Sequence, residues 1–306
     1  MRKLLCLAVV LAPFSTICSA QDRTETFGTG ANAFTIDFVT IGNPNNAADE
    51  TGIPSPAGSV AYTYNLGKYE VSRDMIDKAN AEGSLGIEYT GFSGSANKPG
   101  TGITWLAAAK FVNWLNTSTG STAAYKFDGS GTFQLWSAGD AGYNASNLFR
   151  NSLAKYWLPS SDEWYKGAYG SPSGTWYDYA TGSNSAPTAV ASGTAANTAV
   201  YNNQSNTADI TSAGGLSPWG TMAQGGNVME WNETASDGNN NTADENRLLR
   251  NGGFYNGSVD SSSVFSMPAG RGDNQFGFRV ASVPEPSSLS LLAVGLGGLA
   301  LIRRRK

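Results

Sequence analysis

In the stretch FTIDFV, Phe34, Ile36 and Phe38 alternate with Thr35 and Asp37. A period of two of this kind sets one face of a strand against a core. AYTYNLGKYEV, LLRNGGFY and FGFRVAS are further short strand candidates, bounded by glycines and polar residues. Helical spacing occurs in three places. VSRDMIDKANAEG has Ser72 as an N-cap and Gly83 as a stop. TWLAAAKFVNWLNTSTG puts Trp105, Ala108, Val112 and Leu115 on one stripe, with Gly120 beyond its end. LPSSDEWYKGAYG pairs Ser160 with Glu163 as a capping box and ends at Gly170. The intervening chain is rich in Gly, Ser, Thr and Asn, and no repeat of 20 to 50 residues is apparent. These patterns predict an α+β fold with few long elements, in a single domain over residues 34–282 after a short lead-in at 21–33.

The two ends read differently. Residues 1–20 combine a basic start at Arg2 and Lys3, an apolar run and a small-residue exit, the order of a secretory signal peptide cleaved between Ala20 and Gln21. Both cysteines, Cys6 and Cys18, lie within it, and the chain has no histidine. The mature chain is therefore expected to hold no disulfide, thiolate or imidazole. That excludes Ser-His-Asp and Cys-His nucleophiles and any copper, zinc or iron site built on Cys or His. Carboxylates, hydroxyls, amides and aromatics remain, which suit calcium, sugars or carboxylate-pair hydrolysis. Between 21 and 282 the chain carries 14 basic and 23 acidic residues, a balance of −9. This charge disfavours nucleic acid and anionic membranes as partners.

Residues 283–306 place a Pro284-Glu285-Pro286 spacer before an apolar stretch and the basic cluster Arg303 to Lys306. Pro-Glu-Pro, the glycine-bearing apolar segment and the arginines together closely resemble the PEP-CTERM sorting signal of Gram-negative bacteria that make extracellular polysaccharide. The resemblance implies a transient hold in the inner membrane through residues 288–302 and cutting near Pro-Glu-Pro by an exosortase-type protease. Release would then be toward the cell surface or biofilm matrix.

KYEVSRDMID, GITWLAAAKFVNWLN, YWLPSSDEWYKGAY, SPWGTMAQGGNVMEWNE, LLRNGGFY and FGFRVAS stand in the order and spacing of the formylglycine-generating enzyme, or sulfatase-modifying factor, domain. The resemblance implies a variant of the C-type lectin fold. Catalytic members use two cysteines five residues apart, which bind copper and oxidise a substrate cysteine; the matching positions here are Gly257 and Ser262. Oxidation of the family type is therefore not expected. The resemblance also implies a calcium loop formed by the carbonyls of Gly226 and Val228 and the carboxylate of Glu230. Its remaining side-chain ligand position is Ala223, and Asn197 matches a ligand of a second calcium site.

Two classes of function follow. One is an exported, catalytically silent module that binds polysaccharide or another matrix component through loops carrying Tyr255, Asn256, Asp260, Arg271 and Asp273. The other is a hydrolase of extracellular polymer using Glu230 with Glu233, or Asp162 with Glu163, as acid and base. A purely structural matrix protein would differ from the first only in lacking a ligand.

Overall fold

The computed structural model of the protein describes residues 23–90 and 94–284. The signal segment with Ala20 and Gln21, and the tail from Glu285 and Pro286 through the apolar stretch at 288–302, lie outside the described residues.

Among the described residues, thirteen strands and three α-helices follow one another. One sheet has five strands in the order β1 (Arg23–Phe27), β2 (Phe34–Ile41), β3 (Tyr64–Gly67), β13 (Ala281–Ser282) and β6 (Tyr156–Trp157). A second runs β11 (Val264–Pro268), β10 (Asn246–Arg250), β9 (Met229–Ala235) and β12 (Phe276–Gly277), with β12 parallel to β9. Two small ribbons pair β4 (Lys126–Phe127) with β5 (Phe133–Gln134), and β7 (Thr188–Ala189) with β8 (Thr198–Ala199). The helices are α1 (Arg73–Gly83), α2 (Trp105–Ser118) and α3 (Ser161–Tyr169).

The strand predicted from alternation is β2, which buries Phe34, Ile36 and Phe38 against the main core. Helices α1 and α3 start where capping chemistry predicts, and α2 is capped by Thr104, for which no cap was predicted. Ser72 accepts from Met75 N, Thr104 accepts from Ala107 N, and Ser160 and Glu163 form a reciprocal capping box. The α1 stop differs by one residue: Gly83 is still helical, and Ser84 turns the chain out in the left-handed region at φ 50°. The lead-in joins the sheet. Residues 23–27 form β1 and pair with β2 in unbroken register from Arg23 opposite Phe38 to Phe27 opposite Phe34. RTETF has one buried apolar side chain, Phe27, so its sequence carries almost no strand signal.

Helix α2 is buried on more than the predicted stripe, because Phe111, Trp114 and Asn116 also face the core. Asn116 is fully buried and does the joining that an apolar residue could not. Its amide nitrogen donates to the carbonyls of Val112 at 3.0 Å and Tyr156 at 2.8 Å. Its oxygen accepts from Lys155 N at 2.8 Å and Tyr156 N at 3.0 Å. One side chain thus satisfies the short strand β6 from the helix beside it. Two tryptophans cross-link the same helix entrance to β9: Trp105 Nε1 donates to Asn232 O at 3.0 Å, and Trp231 Nε1 donates to Ile103 O at 2.7 Å.

Replacing Asn116 with Ala leaves the backbone N–H and carbonyl of Tyr156 without their Asn116 partner and is expected to cost about 3 kcal/mol. Urea unfolding of the variant checks it; an unchanged midpoint would mean that Asn116 does not hold β6.

Candidate functional site

The loop Met222–Val228 runs into β9, and three of its residues, with Asn251 beside it, have backbone that side chains rarely adopt. Ala223 has φ 67°, Gly226 φ 144°, Asn227 φ 64° and Asn251 φ 77°. A β-carbon at Gly226 would fall 2.5 Å from the Val200 carbonyl oxygen, so only glycine fits there. This bent backbone points the carbonyls of Ala223, Gly226 and Val228 at one place.

The group at that place is the side-chain amide of Asn251. Its nitrogen lies 2.7 Å from Gly226 O, 3.2 Å from Ala223 O and 3.2 Å from Val228 O, and the residue is fully buried. Two N–H bonds are shared among three acceptors at ordinary hydrogen-bond lengths.

Beside it, Glu230 is also fully buried, and Arg279 grips both of its oxygens: Nε to Oε2 at 2.5 Å and Nη2 to Oε1 at 2.5 Å. Trp164 Nε1, from α3, donates to Oε2 at 2.7 Å. The rest of the guanidinium donates to the carbonyls of Gly67 at 2.9 Å, Lys68 at 3.3 Å and Met222 at 2.9 Å. Glu70 lies behind this pair, accepting from Asn227 Nδ2 at 2.6 Å and Val228 N at 3.3 Å. Burial pushes the Glu70 carboxyl well above the usual carboxylate range, and the charge of Glu230 pushes it further.

The residues present do not fit a calcium ion at Gly226, Val228 and Glu230. Calcium takes six to eight oxygens at about 2.3–2.6 Å. Here the two carbonyls already hold an amide nitrogen, and the carboxylate is closed by a guanidinium, a cation that calcium would have to displace. Asn197 is in a different setting. It is exposed, and its side-chain oxygen accepts from Thr181 Oγ1 at 2.8 Å. Among the described residues no cluster of three Asp or Glu could hold a metal.

The loop after β10 carries Gly257 and Ser262, the two positions that the resemblance matches to cysteines. Nothing lies within 4 Å of the β-carbon position of Gly257. The Ser262 hydroxyl and N–H both donate to Asp260 Oδ1, while Ser258 Oγ donates to Oδ2 at 2.7 Å. Partial burial works to raise the Asp260 carboxyl, but these hydroxyls and the N–H outweigh it and hold it below the usual range. Asp260 thus organises its turn. The same loop pairs its backbone with residues 202–204, through Asn202 N to Asn256 O, Asn203 N to Tyr255 O and Gln204 N to Phe254 O. Tyr255 projects with 61% of its surface exposed.

Of the other predicted ligand-binding residues, Arg271 and Asp273 belong to a separate turn, built against Gly102. Gly102 N donates to Asp273 O at 2.8 Å, and a β-carbon at Gly272 would meet Gly102 O at 2.3 Å. Arg271 is exposed and 4.0 Å from Asp273. Gln275 packs against Gly253 between the two turns.

The carboxylates paired in the sequence reading are each engaged by other groups. Glu230 serves Arg279, and Asp162 accepts from Gly58 N at 2.8 Å. Instead Arg150 brings Glu163 and Glu233 together, with Nη1 3.3 Å from Glu163 Oε1 and Nε 3.0 Å from Glu233 Oε2. Tyr62 and Trp157 also bond Glu163, and Tyr125 and Asn147 bond Glu233. Burial raises the Glu233 carboxyl, whereas Arg150 and several donors overcome burial at Glu163 and lower it. Both carboxylates are fully buried. A cavity of about 490 Å³, lined by Tyr62, Asn147, Arg150 and Trp157, stops short of them. No sequence spacing joins positions 150, 163 and 233, so this cluster was not legible in advance.

Two sheets with three short helices and long ordered loops make the fold that several solved structures share. "Treponema denticola variable protein 1" matches with a TM-score of 0.61 at 20% identity, covering 85% of this chain and 99% of its own. "Crystal Structure of CarF" gives 0.60 at 18%, with 82% and 99% covered. "Structure of PvdO from Pseudomonas aeruginosa" gives 0.52 at 14%, with 85% and 98% covered. Residues 29–283 match the model of the sulfatase-modifying factor enzyme 1-like domain, and the chain belongs to that family. Residues 282–306 match the PEP-CTERM protein-sorting motif. Comparison with curated proteins gives no match.

Asn251→Ala removes the donor on which three carbonyls converge, so a loss of about 2 kcal/mol is expected in urea unfolding. Asn239→Ala, in an exposed turn where the side chain bonds to Asp237, should stay within about 0.5 kcal/mol. Equal effects would mean that the Asn251 amide does not hold the loop.

Proposed function

We propose that the chain is an exported, catalytically silent member of its family, which binds a polysaccharide or other matrix component after exosortase-type processing. The observation that carries this reading is the loop at residues 252–263. The family's oxidation chemistry needs two thiolates to bind copper, and here a glycine and a serine stand at those positions. The Ser262 hydroxyl is itself engaged by Asp260. What the loop offers instead is a turn fixed by its own hydrogen bonds, with the Tyr255 ring presented to solvent. An aromatic face on a preordered backbone suits a sugar ring, because little conformational freedom is lost on binding.

The sorting motif supports the setting. A protein carried outward by that signal meets the polymer that its cell exports, and the cell surface or extracellular matrix is the destination this reading gives it. The hydrolase alternative lacks support from geometry, since a general acid must reach its substrate within hydrogen-bond distance. Glu163 and Glu233 are wholly enclosed, and their partners are protein groups.

The test is a pull-down and titration with the producing cell's own extracellular polysaccharide. The wild-type protein should bind saturably, and Tyr255→Ala should weaken binding at least about tenfold, the effect of losing a central aromatic anchor, with unchanged melting. Absence of saturable binding to any fraction would leave the purely structural role.

A further inference from the structure

Lys166 lies within α3 with 2% of its surface exposed, and it forms no ion pair among the described residues. Its ammonium donates to the Asn43 carbonyl at 2.8 Å, which uses one of three N–H bonds. Buried ammonium groups are normally paired, because removing a charge from water is costly. Burial alone pushes the Lys166 ammonium down to about 8, with no neighbouring carboxylate to hold it up.

The same side chain lines a cavity of about 310 Å³ with Asn43, Asn45, Ser171, Thr175 and Trp176. This is at the small end of the range of about 300–1,000 Å³ for small-molecule sites. Asn43 and Asn45 stand in the left-handed region at φ 51° and 59°, and their side-chain amides have no hydrogen-bond partner among the described residues. The Trp176 indole is fixed from behind. It lies 5.5 Å from the Tyr165 ring, and it passes so close to Gly58 that a β-carbon there would fall 2.5 Å from it. Gly58, at φ 80°, therefore makes room for the ring.

We propose that this cavity is a binding site for a carboxylate-bearing sugar, a uronic acid residue, with Lys166 receiving the carboxylate, Asn43 and Asn45 the hydroxyls, and Trp176 the ring. A buried cation with two unused donors calls for an anion. Amides that both donate and accept, beside an aromatic wall, call for a hydroxylated ring attached to it. The site is built from different residues than the Tyr255 loop and stands or falls separately.

Titration calorimetry of the full-length protein with glucuronate, glucose and acetate tests it. Glucuronate should bind saturably, and more tightly than either of the others. Lys166→Met keeps the buried stem and removes the charge; it should lower glucuronate affinity at least about tenfold, as truncating a buried charge partner does, without lowering the melting temperature. Asn45→Asp, at the exposed rim, should weaken glucuronate binding by placing one carboxylate against another, and it keeps the test open if Lys166→Met does not fold. Tyr255→Ala should bind glucuronate as the wild type does. No saturable glucuronate binding, equal binding of acetate or glucose, or full binding by either cavity variant would overturn the proposal. Loss of glucuronate binding in Tyr255→Ala would also overturn it, by assigning the sugar to the other loop.

Discussion

The two-pronged grip of Arg279 on Glu230 is the interaction on which the other parts depend, because every element around the site contacts one partner or the other. Glu230 is the second residue of β9, and Arg279 stands between β12 and β13. Trp164 brings α3 to the carboxylate, and the carbonyls of Gly67, Lys68 and Met222 bring the end of β3 and the loop before β9 to the guanidinium. A buried ion pair gains little net stability over a well-packed apolar alternative, yet losing one partner costs about 3–5 kcal/mol. Its effect is therefore to exclude other arrangements of these loops. Since most of the fold is short strands and irregular chain, such exclusion does what long ladders do elsewhere.

The Asn251 amide extends the same logic one layer outward. Carbonyl oxygens that converge repel one another unless something positive stands among them. A metal ion is one solution; an amide nitrogen with two hydrogens is another, and it is part of the chain. With Glu230 closed by a guanidinium, both halves of the cation-binding loop expected from the family pattern are satisfied internally. The cost is visible in the backbone, where Ala223, Asn227 and Asn251 accept left-handed geometry that is unfavourable without glycine.

Much of this fold could be read from local pattern. Ser72 and Ser160 mark helix starts because capping is chemistry between neighbours, and Phe34, Ile36 and Phe38 mark β2 because burial alternates. Arg23 to Phe27 could not be read, since an edge strand with one buried side chain borrows its order from β2. Strands of two residues such as β6, β12 and β13 are fixed by partners far away, as Asn116 shows for β6. The roles of Asn251, Arg150 and Lys166 were not legible, because each depends on groups distant in sequence: three carbonyls, two carboxylates, or the absence of any carboxylate. Glu230 was legible as a carboxylate of the loop, but its partner lies 49 positions away.

The central claim is that groups of the chain itself hold the loop around Glu230 where a cation would otherwise be needed. Thermal unfolding of the full-length protein in calcium and in excess chelator tests it most directly. The account predicts coincident transitions at every calcium concentration, since ligand that does not bind the native state adds no stability. A melting temperature that rises saturably with calcium and falls on chelation would contradict it.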